Sequence, residues 1–223
     1  MIATNFTCDK STMTATDRNE ATVKNQTILS DNILLVKASP NAPDFSNSYD
    51  IAFSLVTTIH PYMVDSSHFT LLDLAHESIP AVTDDFLNSN PAELEEVKHL
   101  AKKIWGHDGI VIISTPMMNF NVPANLKQLI DVTIQAGLNF CYTEQGPEGL
   151  MNPEKTRIFL CISSGGIYDN ERRAYDHVKL YLEQIADFVG LKVEKTFWWG
   201  GTSMPGAQER KRALLDEMND YFE

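Results

Sequence analysis

Three polar loops carry residue types that can bind a flat, phosphorylated ligand. The first loop, residues 39–48 (SPNAPDFSNS), combines hydroxyl and amide side chains with the start of a predicted helix. Hydroxyls and the free amides of a helix N-terminus bind a phosphate dianion without any cationic side chain. The same residues are also typical of simple helix capping by Ser46 or Asn47. This loop alone therefore leaves both interpretations open.

The other two loops are suited to the flat part of such a ligand. Residues 115–123 (TPMMNFNVP) bring thioether, aromatic and amide side chains together, a set that can cover one edge of a heterocycle. Residues 163–168 (SSGGIY) include the adjacent glycines Gly165 and Gly166, which permit a close approach of the backbone to a ligand. Each loop taken alone is equally compatible with a core plug or an ordinary turn.

Alternating strands and helices position these loops. Apolar runs predict five buried strands, and amphipathic segments between them predict helices of the length that joins parallel strands. The predicted strands are 33–36, 69–74, 109–113, 156–162 and 193–199, and the predicted helices are 47–60, 91–105, 123–137, 171–189 and 208–222. Asn90 is predicted to cap the second helix before Pro91, Gly137 to close the third, and residues 140–151 to form a hairpin.

This pattern predicts an α/β fold, a three-layer sandwich around a five-stranded parallel sheet in the order 2-1-3-4-5. In that topology a ligand lies past the carboxyl ends of the first, third and fourth strands, where the three loops begin. The predicted domain spans residues 32–223. Residues 1–31 are rich in Thr, Asn, Asp and Ser, and we predict a flexible N-terminal extension there.

Composition excludes several other classes of protein. A formal net charge of −12 argues against nucleic-acid and anionic-membrane partners, because contacts to phosphate need clustered Lys and Arg. No stretch approaches the roughly 20 apolar residues that span a bilayer, and no secretion signal is predicted. The three cysteines, Cys8, Cys141 and Cys161, form no C-x-x-C pair, which favours a reducing cytoplasm over disulfides or zinc. The histidines are scattered, so no metal site is predicted.

Several uncommon segments resemble one known family. Residues 116–123 (PMMNFNVP) resemble the segment P-M-[YW]-N-F-x-[IV]-P of FMN-dependent NADH-azoreductases. Residues 140–150 (FCYTEQGPEGL) are similar to its F-x-Y-T-x-x-G-P-x-G-L, and residues 163–166 (SSGG) to its S-R-G-G. The chain thus resembles the azoreductase and NAD(P)H:quinone oxidoreductase family over residues 33–190.

The resemblance implies a flavodoxin-like fold, FMN as cofactor, NADH or NADPH as reductant, and a homodimer with sites near its interface. It implies that the flavin carries the chemistry, so no side chain is assigned a catalytic role. The residues implied to bind FMN are Ser39, Ser46, Asn47, Ser48, Pro116, Met117, Met118, Asn119, Phe120, Ser163, Ser164, Gly165 and Gly166. The residues implied to contact substrate are Asn119, Phe140, Tyr142 and Tyr168.

Three positions depart from the family pattern. Met118 stands where an aromatic residue is usual, Ser164 replaces a common Arg, and Tyr168 replaces a common His. The changes at Ser164 and Tyr168 leave the choice between NADH and NADPH, and the electron acceptor, open. The loop implied to bind phosphate, residues 39–48, is also about one residue longer than in the family.

The predicted function is an FMN-dependent NAD(P)H oxidoreductase that reduces quinones and azo compounds by two-electron, ping-pong hydride transfer. Two alternatives remain. One is a flavodoxin-like electron carrier, which steady-state NADH turnover would distinguish from the oxidoreductase. The other is a phosphodiesterase or other hydrolase. Residues 201–205 (GTSMP) fail the nucleophile pattern G-x-S-x-G at the last position. Cys161 lacks the Arg of a C-x-x-x-x-x-R phosphatase, because Ile167 stands there.

Overall fold

The computed structural model describes residues 32–60, 68–168 and 170–223. The predicted extension over residues 1–31, with Cys8, lies outside the described residues. The strands are β1 Asn32–Lys37, β2 His68–Asp73, β3 Gly109–Pro116, β4 Phe140–Thr143, β5 Gly146–Gly149, β6 Thr156–Ser163 and β7 Val193–Trp199. The α-helices are α1 Asn47–Ile59, α2 Asp84–Asn88, α3 Glu95–Ile104, α4 Ala124–Thr133, α5 Val178–Phe188 and α6 Ala207–Phe222.

The central sheet has the predicted topology. Its strands are all parallel and follow the order β2-β1-β3-β6-β7, which is 2-1-3-4-5 when only these five strands are counted. The strand β1 is buried on both faces because Leu34 and Val36 face one layer of helices while Ile33 and Leu35 face the other. Parallel strands read as continuous apolar runs for this reason.

Two apolar clusters pack helices onto the two faces of the sheet, which gives three layers. One lies between the sheet and α3, α4 and α5, and the other lies between the sheet and α1 and α6. The predicted α/β sandwich is therefore confirmed. Among the described residues, no helix combines the length and the apolar character that spanning a membrane requires.

Two predicted helix starts are wrong. The helix predicted from Pro91 begins at Glu95: Asn90 is left-handed (φ 57°), a 3-10 turn occupies Pro91–Glu93, and Leu94 is extended. The helix predicted from Glu171 begins at Val178, after a 3-10 segment. In the first turn of this helix, Lys179 N donates a hydrogen bond to the Asp176 carboxylate.

The third helix ends earlier than predicted, and a short helix was missed. The helix α4 stops at Thr133 rather than at Gly137, because Ile134 is extended and the Asn139 side chain accepts from Gln135 N at 2.9 Å. The five residues of α2 are too few to show an apolar period. Thr83 nevertheless caps them by accepting a hydrogen bond from Phe86 N.

The predicted hairpin is present as the antiparallel pair β4 and β5. Main-chain hydrogen bonds tie it down, from Leu150 N to Asn139 O at 2.8 Å and from Met151 N to Val189 O at 2.9 Å. Its backbone also passes very close to the turn after α5. A Cβ built on Gly149 would lie 2.2 Å from Gly190 N and 2.3 Å from the carbonyl carbon of Val189.

We expect Gly149→Ala to lower the free energy of unfolding by about 3 kcal/mol, because backbone would have to move to admit one methyl group. Gly200→Ala is the matched control: its Cβ would meet nothing closer than 3.6 Å, so we expect a loss below about 1 kcal/mol. Urea unfolding of both variants measures the difference. Equal midpoints would contradict this account of hairpin docking.

Candidate active site

The three predicted loops converge at one edge of the sheet. They follow β1, β3 and β6, which are adjacent in the sheet, so their carboxyl ends lie side by side. Hydrogen bonds join them at the edge itself, from Ala38 N to Ser114 O at 2.9 Å and from Met117 N to Ser163 O at 2.7 Å. The convergence predicted from the strand order is confirmed.

The loop after β1 contains three buried hydroxyls, two of them at a helix N-terminus. Ser39, Ser46 and Ser48 are each less than 5% exposed. Ser46 caps α1 by accepting from Tyr49 N at 3.3 Å, and its hydroxyl lies 3.4 Å from that of Ser48. Capping and anion binding are compatible here, because the positive end of a helix dipole and the neighbouring hydroxyls face the same region. Asn47 is exposed as the first residue of α1.

The loop after β3 is a tight turn held in a strained backbone. Met118 and Asn121 exchange hydrogen bonds in both directions, at 2.8 and 3.0 Å. Between them, Asn119 and Phe120 have φ angles of 50° and 66°, the arrangement of a type I′ turn. A bulky residue such as Phe is disfavoured in this region. Because the turn is closed by its outer residues, the N–H groups of Asn119 and Phe120 take no part in its pairing.

The loop after β6 has its main-chain donors oriented by the segment after β7. Ser164 O accepts from Thr202 N at 2.9 Å, and Gly165 O accepts from Ser203 N at 3.3 Å. The C=O and N–H of a trans peptide point in opposite directions. Holding these two carbonyls against residues 202–203 therefore directs the N–H groups of Gly165 and Gly166 to the other side of the loop.

Ser164 is fixed by the neighbouring strand. Its hydroxyl accepts from the Trp198 indole N–H at 2.8 Å and donates to Gly166 O at 2.8 Å. The sequence analysis missed both Trp198 and residues 201–203 as supports of this loop. The one signal available was the glycine pair at Gly200 and Gly201 just after the last predicted strand.

Aromatic rings border the turn and the glycine loop. The Phe120 ring meets Tyr168 edge-on at 6.1 Å and Tyr175 at 5.6 Å. Tyr168 also lies 6.4 Å from Trp198. Phe120, Tyr175 and Met118 are exposed, while Met117 packs against the core. Tyr175 was not among the predicted site residues.

The hairpin residues form a separate group. Phe140 is buried between Tyr142 at 5.5 Å and Phe188 at 4.7 Å. Tyr142 is 59% exposed. In the described part of the chain, no ring contact connects this pair to Phe120 or Tyr168.

Beneath the first loop lies a charged pair that the sequence analysis missed. Lys37 is 1% exposed, and its ammonium group donates to Ser39 O at 2.9 Å and to both carboxylate oxygens of Asp73 at 3.0 and 3.1 Å. The pKa of Tyr49 is raised by burial and then by the negative charges of Asp73 and Asp44.

The cysteine considered as a nucleophile is inaccessible. Cys161 lies in the inner strand β6 with 0% exposure, and burial raises the pKa of its thiol. Within residues 32–60, 68–168 and 170–223, no cluster of three metal-ligating side chains occurs.

Comparison with known proteins agrees with this geometry. A family model described as a flavodoxin-like fold matches residues 31–222. The FMN-dependent NADH:quinone oxidoreductase of Rhizobium leguminosarum bv. trifolii is 34% identical over 191 residues, which are 80% of this chain and 91% of that protein. The chain belongs to the flavodoxin-like family, alongside the FMN-dependent NADH:quinone oxidoreductases.

Two further comparisons show how far the likeness extends. FMN-dependent NADH:quinone oxidoreductase 1 of Idiomarina loihiensis is 38% identical over 120 residues, or 53% of this chain and 62% of that protein. A crystal structure of an FMN-dependent NADH-azoreductase from Bacillus anthracis in complex with FMN shares 21% identity, with a TM-score of 0.76, and covers 86% of this chain and 97% of that one. At that identity the structural match shows the fold, which is the flavodoxin-like fold expected from the sequence.

The strain at Phe120 can be measured by two substitutions. Both Phe120→Gly and Phe120→Ala remove the ring, but only Gly adopts the left-handed backbone without steric cost. We expect the Gly variant to unfold with a free energy about 1 kcal/mol higher than that of the Ala variant. Chemical unfolding without ligand measures this. An Ala variant as stable as the Gly variant would show that the turn is unstrained.

Proposed function

We propose that this chain is an FMN-dependent NAD(P)H oxidoreductase that reduces quinones and azo compounds. One observation carries the proposal: the glycine loop directs two main-chain N–H groups away from residues 202–203, beside a turn whose own N–H groups are unpaired within it. Such a set of main-chain donors, together with buried hydroxyls at a helix N-terminus, is suited to a flat, phosphorylated ring system. The names of the relatives supply the identity of that ring system as FMN.

The donor set fits FMN in both of its parts. For the phosphate and its sugar chain we propose Ser39, Ser46, Asn47 and Ser48, whose hydroxyl and amide groups surround the start of α1. For the ring system we propose that the turn contacts one edge and that the glycine loop contacts the other. The ring-binding residues are Pro116, Met117, Met118, Asn119, Phe120, Ser163, Ser164, Gly165 and Gly166.

When bound, FMN would supply the redox chemistry, taking a hydride from NADH or NADPH and passing two electrons to the acceptor in a ping-pong cycle. The protein's own contribution is to orient the ring and to place donors where negative charge develops. The N–H groups of Asn119, Phe120, Gly165 and Gly166 would stabilise that charge without reorganisation, since their peptides are already fixed. No side-chain acid is needed for this role.

The aromatic border is the proposed site for the electron acceptor. Phe120 and Tyr168 present ring faces and edges beside the turn, and flat electrophiles pack well on such surfaces. Asn119 would contact substrate from the turn, and the exposed Tyr142 from the hairpin. Phe140 is buried, so we propose that it acts by supporting the Tyr142 ring.

The function is tested by mixing the purified protein with FMN, removing free ligand and recording the absorption spectrum, followed by turnover of NADH and NADPH with menadione and one azo dye. We expect retained flavin absorbance and steady oxidation of at least one nicotinamide nucleotide. Retained flavin without turnover would favour an electron carrier. If the protein retains no flavin, the proposed FMN-dependent function is wrong.

Tyr168→Ala should raise KM for the acceptor about tenfold, because it removes a ring that packs against Phe120. Tyr168→Phe keeps the ring and is the matched control, with a KM close to that of the wild type. FMN affinity, measured separately, should stay within about threefold in both variants, because one aromatic contact beyond the cofactor changes little in its binding. A KM for Tyr168→Ala equal to that of the wild type would place Tyr168 outside the acceptor site.

A further inference from the structure

A fully buried lysine lies at the end of an otherwise apolar strand. Lys37 closes β1, whose preceding residues are almost all buried and apolar. Its ammonium group has three acceptors within 3.1 Å, namely Ser39 O and the two carboxylate oxygens of Asp73. A lysine has three N–H donors, so all of them are used. A buried charge persists only when it is paired in this way.

The register of the sheet places this pair in a polar row. Lys37 is directly opposite Asp73 of β2 and Ser114 of β3. Register neighbours in a sheet project their side chains from the same face. Ser114 is fully buried, and its hydroxyl has no hydrogen-bond partner among the described residues. Lys37 lies two residues before Ser39. Its row of side chains is on the sheet face that α1 and α6 cover.

Lys37 performs two tasks at this position. Lys37 fixes the carbonyl of Ser39, the first residue of the loop. The hydroxyl of the same serine accepts a hydrogen bond from Asn41 N at 3.3 Å. Lys37 also neutralises the Asp73 carboxylate, which is close enough to disturb the titration of Tyr49 in the first turn of α1. Without that neutralisation, an unpaired carboxylate would lie beneath a site that has to accept a phosphate dianion.

We propose that the buried Lys37–Asp73 pair positions the phosphate-binding loop and that Lys37 is the member on which FMN affinity depends. The inference rests on the proposed function, because it takes the ligand of that loop to be the phosphate of FMN. Lys37 acts through Ser39 and through the charge of Asp73. It is therefore a positioning residue.

A merely structural ion pair makes a different prediction. Removing either partner of a structural pair leaves the other without its counterion, so the two single variants would weaken the fold and the site together. A positioning lysine makes the two substitutions unequal. Asp73→Asn keeps a side-chain oxygen as acceptor for Lys37 and keeps the contact from Lys37 to Ser39, whereas Lys37→Met loses that contact and leaves Asp73 without its counterion.

The experiment titrates FMN and riboflavin into the flavin-free protein, following quenching of flavin fluorescence. The variants are Lys37→Met and Asp73→Asn, and the control is Lys195→Met, which removes a lysine paired with Glu217 between β7 and α6. Thermal unfolding of each flavin-free variant is recorded alongside. Riboflavin has the ring and the sugar chain of FMN but lacks the phosphate, so the difference between the two ligands reports on the phosphate.

We expect Lys37→Met to raise the Kd for FMN about tenfold to a hundredfold, as for loss of a hydrogen bond from a charged group. Asp73→Asn and the control should leave that Kd within about threefold of the wild type, because both keep the contact from Lys37 to Ser39. The Kd for riboflavin should stay within about threefold in every variant. If riboflavin binds too weakly to measure, the inequality between the two FMN values decides the question alone.

Three results would overturn the inference. They are an unchanged FMN affinity in Lys37→Met, equal losses in Lys37→Met and Asp73→Asn, and equal losses for FMN and riboflavin. Each of these leaves the proposed function standing as long as the wild type binds FMN. Failure of the wild type to bind FMN would instead count against the proposed function itself.

Discussion

The site depends on hydrogen bonds that hold the carbonyls of the glycine loop against residues 201–203. Ser164, Gly165 and Gly166 each give a carbonyl oxygen to that segment. Because a peptide is planar, fixing its carbonyl also fixes the direction of the following N–H. The Ser164 and Gly165 carbonyls thereby orient the N–H groups of Gly165 and Gly166 before any ligand arrives, and a preorganised donor costs no reorganisation when charge develops in front of it.

The same rim carries stored strain and a buried charge, both of which are unfavourable for the fold by themselves. Phe120 has a left-handed backbone in a turn where glycine is preferred, and Lys37 is desolvated at the end of β1. The inner strands β1, β3 and β6 are largely apolar and are buried between helices on both faces of the sheet. Departures from local preference that are confined to one edge of a regular sheet are typical of a functional site.

The topology was predictable because it depends on patterns that a sequence displays directly. Continuous apolar runs such as residues 109–113 mark strands buried on both faces, and the alternation with helices sets the parallel order. Helix ends were less predictable because tertiary contacts decide them. The Asn139 side chain ends α4 four residues before Gly137, and no local rule in the sequence reveals that contact.

At the site, the loops were predictable and their supports were not. The hydroxyl, amide and glycine residues are conspicuous in the sequence, whereas the role of Trp198 depends on the register of β7 against β6. Lys37 could have been noticed as the one charged residue in the run of residues 32–37. Its partner Asp73 is 36 residues away and comes beside it only through the pairing of β1 with β2.

The central claim is that main-chain N–H groups of the turn and the glycine loop bind the ring edges of FMN. The most direct test is an amide NMR spectrum of ¹⁵N-labelled protein, recorded with and without FMN. The account predicts the largest shifts at Asn119, Phe120, Gly165 and Gly166, and negligible shifts at the remote Gly106. FMN binding that shifts amides elsewhere and leaves these four unchanged would contradict it.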